Sequence, residues 1–221
     1  MAERWATFDC YGTLIDWKGG IRTTLADVWP DADAGRLLVR YHEIEPDVQA
    51  GRGIPYRRVM AETLARVATA EGLVIPPGRE DALGTSLPSW PPFPETRGAL
   101  DELRARGWRI GILSNTDPVF LDASLDAIGV QIDERVVASD IGSYKPAFGH
   151  WETFFARTEA DRATHVHVAA SLFHDVEPAA ALGLPCVWIN REGETSELPR
   201  AAELRDLEGL ADALDVIVPP G

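Results

Sequence analysis

Hydrophobic and polar positions follow two different patterns along the chain, and the change falls near residue 94. Beyond that point, short apolar runs at residues 108–113, 165–170 and 186–189 are typical of buried strands, and stretches with helical periodicity separate them. Strands that alternate with helices of about 10–15 residues are typical of a parallel sheet covered on both faces. The second part of the chain therefore predicts a doubly wound α/β fold.

The stretch from residue 16 to residue 93 predicts helices and no convincing strand. One helix is expected over residues 35–44, ending before Pro46, because proline has no amide donor and restricts the residue before it. A second is expected over residues 56–71, where Gly72 ends it. This helical stretch is predicted to be an insertion that follows the first strand.

The remaining elements are predicted from the same signals. Apolar and β-branched residues indicate strands over residues 4–8 and 135–138. Helices are predicted over 95–106, 117–128 and 176–182, each followed by a glycine, and a closing helix is predicted over 200–213. The opening strand is followed at once by Asp9 and then by Gly12, which frees the backbone to turn sharply.

Composition excludes several classes of function. The net charge of −14 argues against nucleic acid and anionic membranes as partners, because both need basic faces. No apolar run reaches the ~18–20 residues that span a bilayer, and no signal-peptide pattern precedes the first strand, so a cytoplasmic protein is expected. The two cysteines, Cys10 and Cys186, are too few for a disulfide framework and lack metal-ligand spacing.

Polar side chains follow the carboxyl ends of four predicted strands. They lie at residues 9–13, 114–116, 139–145 and 171–175. Because parallel strands end at the same edge of a sheet, these side chains are expected to converge there. Lys145 is one of only two lysines among 21 basic residues, which hints that a compact ammonium charge is needed at that position.

Each of these side chains also has a purely structural explanation. Asp9 is equally suited to a turn, Ser114 and Asp175 to the cap of the helix that follows each of them, and Lys145 to a solvated surface. A chance placement of four such clusters at four strand ends is harder to accept. The pattern as a whole therefore favours a functional site at this edge.

The motifs identify a resemblance. In chain order they read Asp9-x-Tyr11-Gly12-Thr13-Leu14, Ser114-Asn115-Thr116, Lys145-Pro146 and His174-Asp175, and this series resembles the haloacid dehalogenase superfamily, most closely its 2-haloacid dehalogenase branch. The resemblance covers nearly the whole chain. It implies a Rossmann-like parallel sheet of residues 1–15 and 94–221, a helical cap of residues 16–93, and Asp9 as the nucleophile.

Two positions distinguish the branches of this superfamily. Phosphatases resemble Asp-x-Asp in the first motif and carry further carboxylates in the last one to hold Mg²⁺; here Tyr11 and Ala170 stand at those positions. A hard Mg²⁺ ion prefers an octahedron of oxygen ligands, which Asp9 and Asp175 alone would supply poorly. The dehalogenase branch, which implies no metal and no organic cofactor, is therefore favoured.

The resemblance implies a role for each site residue. Asp9 would attack the α-carbon of a small anionic acid, Lys145 would keep Asp9 ionised, and Asp175 would orient Lys145 and help to activate water. Thr13 would support Asp9, Ser114 would bind the substrate carboxylate, and Asn115 would bind the leaving anion. Tyr11 would lie beside the substrate or merely line the loop. Arg40 would be the cap arginine that binds the leaving anion, with Arg36 as the alternative.

The chain also departs from the family pattern. The segment Ala170–His174 lacks a serine and an asparagine that hold water in the family, and Trp151 replaces an expected tyrosine. Three hypotheses therefore stay open: hydrolytic dehalogenation of a 2-haloacid, the same Asp9 chemistry on a phosphate ester with Mg²⁺ or on another carbon–heteroatom bond, and a non-catalytic anion-binding relative. A homodimer is compatible with the sequence.

Overall fold

The computed structural model describes residues 3–50 and 52–221, and these residues form one six-stranded parallel sheet with helices around it. The strands are Arg4–Phe8 (β1), Trp108–Ser114 (β2), Glu134–Val137 (β3), His165–Ala169 (β4), Cys186–Ile189 (β5) and Ala202–Leu204 (β6). The α-helices are Trp17–Val28 (α1), Ala34–Gln49 (α2), Tyr56–Glu71 (α3), Ala82–Ser86 (α4), Thr96–Ala105 (α5), Pro118–Ile128 (α6), Ala138–Ile141 (α7), Gly149–Thr158 (α8), Glu177–Ala181 (α9) and Leu210–Ile217 (α10). Short 3₁₀ turns lie at Leu87–Ser89 and Arg162–Thr164, and a π-turn lies at Leu172–Val176.

The order of the strands in the sheet is β3-β2-β1-β4-β5-β6, and every neighbouring pair is parallel. The chain runs outward from β1 through β2 to β3, and then returns to β4 on the other side of β1. Ligands of open α/β sheets bind where the strand order reverses in this way, beyond the carboxyl ends of the strands. The predicted α/β doubly wound, Rossmann-like fold is confirmed.

Both faces of the sheet are buried. All five residues of β1 are buried, and its side chains alternate between two apolar clusters. Ala6 and Phe8 belong to the larger cluster, while Trp5 packs on the other face beside Trp151 and Phe154. This alternation follows from the pleat, which sends successive side chains to opposite faces.

Helices α1 to α4 occupy the stretch between β1 and α5 that is predicted to be the cap. The exact boundaries of cap and core stay a prediction, and residues 1, 2 and 51 lie outside the described residues. No described helix is long and apolar enough to cross a membrane.

Two predicted helices differ from the structure. Helix α2 continues through Pro46 to Gln49. Glu45, Val48 and Gln49 are buried, and their packing outweighs the one helical hydrogen bond that is lost because proline has no backbone N–H. The helix predicted over residues 200–213 is wrong: β6 adds Ala202–Leu204 to the sheet edge, and the last helix begins only at Leu210.

Asp117 connects helix α3, which lies in the predicted cap, to the segment that follows β2. It precedes α6, but its carboxylate does not cap that helix. Instead, its two oxygens accept hydrogen bonds from the backbone amides of Tyr56 (2.8 Å) and Arg57 (2.9 Å) at the start of α3. The helix that lacks a side-chain cap of its own therefore receives one from a residue about 60 positions further along the chain.

Candidate active site

Three charged side chains meet beyond the ends of β1, β3 and β4. The Lys145 ammonium donates hydrogen bonds to Asp9 Oδ1 (2.9 Å), to Asp175 Oδ1 (2.7 Å) and to the carbonyl oxygen of Leu113 (2.7 Å). Lys145 and Asp175 are 1 % and 0 % exposed, whereas Asp9 keeps 7 % and lines a cavity. The topology thus brings together three groups that are separated by up to 166 positions in the sequence.

The charges of this group follow from burial and from mutual contact. Burial raises the pKa of Asp9 above its ordinary value, and the Lys145 ammonium opposes that shift. Burial would lower the pKa of Lys145, but the two carboxylates outweigh it and raise that pKa. Although burial acts in the opposite direction, Lys145 and His167 hold the pKa of Asp175 well below its usual range. On acidification Asp9 is therefore protonated before Asp175, while Lys145 stays charged.

The second oxygen of Asp9 is fixed by the turn that follows β1. Thr13 Oγ1 donates to Asp9 Oδ2 (2.9 Å) and accepts a hydrogen bond from the Ala170 amide (2.9 Å). Gly12 makes this tight turn possible, since its φ of 94° lies in the region that favours glycine. Both carboxylate oxygens of Asp9 thus have a donor within the protein, and the carboxylate is held in one orientation.

Ser114, Asn115 and Tyr11 lie near the charged group and have different surroundings. Ser114 lines the cavity, and its buried hydroxyl has no hydrogen-bond partner among the described residues. The Asn115 amide is engaged on both sides: it donates to the Lys145 carbonyl (2.9 Å) and accepts from the Lys145 amide (2.7 Å). Tyr11 lines the cavity while its hydroxyl lies 3.0 Å from Ser124 Oγ. Ser114 is therefore free to bind a ligand, and Asn115 positions Lys145.

A buried chain of hydrogen bonds lies behind Asp175. His167 Nε2 is 3.0 Å from Asp175 Oδ1, His167 Nδ1 is 2.9 Å from Thr7 Oγ1, and that hydroxyl is 2.8 Å from His165 Nε2. Because an ionised Asp175 only accepts, His167 donates from Nε2. In the neutral form of the His167 ring, Nδ1 then accepts from the Thr7 hydroxyl, whose oxygen accepts from His165 Nε2. The sequence places His165 and His167 on one face of a strand, but it does not reveal their connection through Thr7.

Replacing Thr7 with valine should destabilise the protein by about 1–3 kcal/mol, because two buried imidazole nitrogens lose their partner while the side-chain shape is kept. Urea unfolding followed by circular dichroism measures the change. Thr69→Val is the matched control, since its hydroxyl contacts only the carbonyl of Ala65 on an exposed helix face. Equal stability losses in the two variants would contradict a special role for the chain.

Arg40 does not reach the cavity. Its Nε donates to Glu71 (3.0 Å) and its guanidinium also pairs with Glu43, while Arg36 pairs with Glu71 as well. The cavity-facing positions of α2 include His42, which lies about 200° around the helix from Arg40. The expectation of a cap arginine at Arg40 or Arg36 is therefore corrected: both lie on the face turned away.

The cap instead presents polar side chains that sequence reasoning missed. His42, Glu45 and Gln49 of α2 line the cavity and are named here the cap stripe. Their spacing of three and four residues places them on one helix face, and this was the available sequence signal. Trp17 covers His42 in a stacked arrangement with ring centroids 4.8 Å apart. The cavity has a volume of about 830 Å³.

The altered segment after β4 forms one wall of the cavity. His174 Nδ1 lies 3.1 Å from Ser171 Oγ, and burial lowers the pKa of His174, which favours the neutral ring. Leu172 and Phe173 contribute apolar surface to this wall. Cys10 and Cys186 are buried and free, and burial raises the pKa of both thiols.

The carboxylates of this site do not fit a divalent cation. Asp9 Oδ1 and Asp175 Oδ1 both accept from the Lys145 ammonium, and Asp9 Oδ2 accepts from Thr13. Of the four oxygens of these two carboxylates, only Asp175 Oδ2 has no partner among the described residues. The same part of the chain holds no cluster of three or more His, Cys, Asp or Glu side chains that could bind a metal ion. A hard cation that prefers six oxygen ligands would find one free carboxylate oxygen beside a positive charge.

Comparison with known proteins agrees with this geometry. A family model described as haloacid dehalogenase-like hydrolase matches residues 4–183. The chain is 32 % identical over 200 residues to an (S)-2-haloacid dehalogenase of Pseudomonas sp. (strain YL), covering 86 % of this chain and 84 % of the relative. It is 28 % identical over 191 residues to haloacetate dehalogenase H-2 of Moraxella sp. (strain B), covering 84 % and 85 %.

A solved structure, that of the L-2-haloacid dehalogenase RSc1362, shares the fold with a TM-score of 0.87 at 23 % identity, over 97 % of this chain and all of the other. The family match spans β1 to α9, the stretch that carries Asp9, Lys145 and Asp175. Fold, site and sequence similarity lead to the same conclusion. The chain belongs to the haloacid dehalogenase-like hydrolase family.

Proposed function

We propose that the protein hydrolyses the carbon–halogen bond of small 2-haloacids through an ester intermediate on Asp9, without a metal or organic cofactor. The observation that carries this proposal is the pairing of Asp9 with Lys145 at 2.9 Å on the floor of a cavity. A buried carboxylate whose ionised form is favoured by an adjacent ammonium and a hydroxyl donor is suited to act as a nucleophile. The dehalogenase names of the relatives support the same substrate class.

In the first step, a carboxylate oxygen of Asp9 attacks the α-carbon from the side opposite the halogen. A carbon–oxygen bond forms as the carbon–halogen bond breaks, and the halide leaves with the electron pair and with inversion at that carbon. The free Ser114 hydroxyl is suited to bind the substrate carboxylate. Lys145 and Thr13 hold the attacking group in place throughout.

In the second step, water attacks the carboxyl carbon of the Asp9 ester. The bond between that carbon and the ester oxygen breaks, which releases a 2-hydroxy acid and restores the carboxylate, while one proton passes to solvent. Asp175 Oδ2 has no partner among the described residues and is the free acceptor best placed to orient the water. His167 and Lys145 occupy the other oxygen of Asp175, so only Oδ2 is available.

A single turnover in ¹⁸O-water tests this route, with enzyme in excess over 2-chloropropanoate. Water that attacks the ester leaves its oxygen on Asp9, so mass spectrometry of a digest should find the label in the Asp9 peptide and not in the product. The peptides that lack Asp9 serve as the internal control.

Label in the 2-hydroxy acid with an unlabelled Asp9 would instead mean direct attack by water on the substrate. The phosphatase alternative is tested in parallel by phosphate release from small phosphate esters with Mg²⁺. Phosphate release that requires Mg²⁺, with no halide release from any 2-haloacid, would overturn the proposed function.

A further inference from the structure

The cap stripe carries hydrogen-bonding groups that the protein itself leaves unused. The buried Nε2 of His42 has no partner among the described residues. Among the described residues, Glu45 Oε2 and the side-chain amide of Gln49 likewise have no hydrogen-bond partner, and both residues line the cavity. Polar groups at a cavity wall that have no partner within the protein are available to a ligand.

Glu45 is the best-anchored member of the stripe. Its Oε1 accepts a hydrogen bond from the Tyr56 hydroxyl (2.8 Å) and a longer one from the Tyr41 hydroxyl (3.4 Å). Trp17 Nε1 donates in turn to the Tyr56 oxygen (3.2 Å). Glu45 is only 5 % exposed, one of its carboxylate oxygens is held by two tyrosines, and the residue lines the same cavity as Asp9.

The charge around the stripe favours a hydrogen-bond donor over an anion. Arg40 and Arg36 lie on the opposite face of α2, and burial lowers the pKa of His42 to about 4, so the stripe is uncharged or negative at neutral pH. Burial raises the pKa of Glu45 to about 7, and a donor ligand would stabilise its ionised form. Seven acidic side chains line the cavity against four basic ones.

The size of the cavity points the same way. At about 830 Å³ it lies toward the upper end of the range of roughly 300–1,000 Å³ that is typical of ligand pockets. A two- or three-carbon acid would leave most of this space empty. Room therefore remains for a substrate chain that extends from Asp9 toward α2.

We propose that Glu45 is a specificity-determining residue which binds a hydroxyl or ammonium group on the substrate chain beyond the reacting carbon. The inference rests on the proposed function for the reacting end and adds the class of substrate: 2-haloacids that carry a hydrogen-bond donor at the far end. The carboxylate of the substrate lies at Ser114, the reacting carbon at Asp9, and the donor at Glu45.

Two pairs of racemic substrates test this assignment, and each pair differs in the donor. They are 2-chloro-3-hydroxypropanoate against 2-chlorobutanoate, and 2-chloro-6-aminohexanoate against 2-chloroheptanoate. We expect kcat/KM to be at least tenfold higher for the donor-bearing member of at least one pair. The pair that shows the preference distinguishes a hydroxyl from an ammonium ligand, and halide release is the readout.

Glu45→Leu should abolish the preference, and Glu45→Gln should keep it for a hydroxyl but lose it for an ammonium group. Glu43→Gln is the matched control, because it makes the same substitution on an exposed part of the same helix, outside the cavity lining. Calorimetric binding of the four acids to Asp9→Asn gives a second readout that does not require turnover.

Equal kcat/KM within both pairs, together with equal binding to Asp9→Asn, would overturn the role of Glu45. The Asp9 ester route would still stand in that case if ¹⁸O entered Asp9. Conversely, a donor preference in binding without any ester label would retain Glu45 as a ligand-binding residue and overturn the proposed reaction.

Discussion

Replacing Asp9 with asparagine should abolish multiple turnover, with a loss in kcat of roughly 10⁴-fold or more, as expected for removal of a covalent nucleophile. The amide keeps the size of the side chain and still fits between Lys145 and Thr13. Halide release over many enzyme equivalents is the measurement. Asp126→Asn, on an exposed surface position, makes the same chemical change away from the site and should keep full activity.

The same residue should set the acid limb of the pH profile. Burial raises the pKa of Asp9, and the protonated acid is not a nucleophile, so kcat/KM should fall as pH drops through a value above the ordinary ~3.9. Asp175 cannot cause this limb, because its pKa lies below the usual range. A profile that stays flat down to pH 4 would contradict the assignment.

Replacing Lys145 with methionine should have the largest effect on stability. Lys145 is 1 % exposed and its ammonium lies between two carboxylates, so its removal leaves both buried carboxylates without the positive charge that pairs with them. Breaking a buried ion pair in this way typically costs about 3–5 kcal/mol. Urea unfolding at pH 7 measures the loss, and activity should disappear with it.

Lys18→Met is the matched control for stability. Lys18 is the other lysine of the chain, and its side chain is 42 % exposed. Its Nζ lies 3.4 Å from Glu192 Oε2. Exposed pairs of this kind contribute about 0–1 kcal/mol.

The loss of stability in Lys145→Met should also become smaller toward acidic pH, because protonation of Asp9 removes one of the two uncompensated charges. A loss that does not depend on pH would mean that packing of the lysine stem, and not its charge, is responsible.

The fold and the group of Asp9, Lys145 and Asp175 could be predicted because their signals are local. Buried strands appear as short apolar runs, and each of the three charged residues lies in the segment that comes after a strand and before the next long helix or strand. Parallel pairing then brings Asp9, Lys145 and Asp175 together without further information. The sequence signal for the helix over residues 56–71 is equally local. The structure confirms this helix and places Gly72 in the left-handed region at its end.

The cap side of the site could not be predicted because it depends on how α2 is rotated. Arg40 and His42 are two positions apart, and only the packing of Val48, Tyr41 and Leu37 decides which of them faces the cavity. The strand at Ala202–Leu204 was missed for a related reason. Its three residues carry little apolar signal, and the edge of the sheet supplies the pairing.

The carboxylate of Asp117 has a consequence for evolution and for engineering. Asp117 accepts the hydrogen bonds of the backbone amides in the first turn of α3. If the helices between β1 and α5 were replaced by those of a relative, Asp117 would still be present, because it lies outside the exchanged segment. A chimera joined the other way, with these helices on a foreign scaffold, would expose two orphaned amides unless an acidic residue stood at the matching place. An exchange of the helical segment therefore requires a matching acidic residue in the part of the chain that is not exchanged.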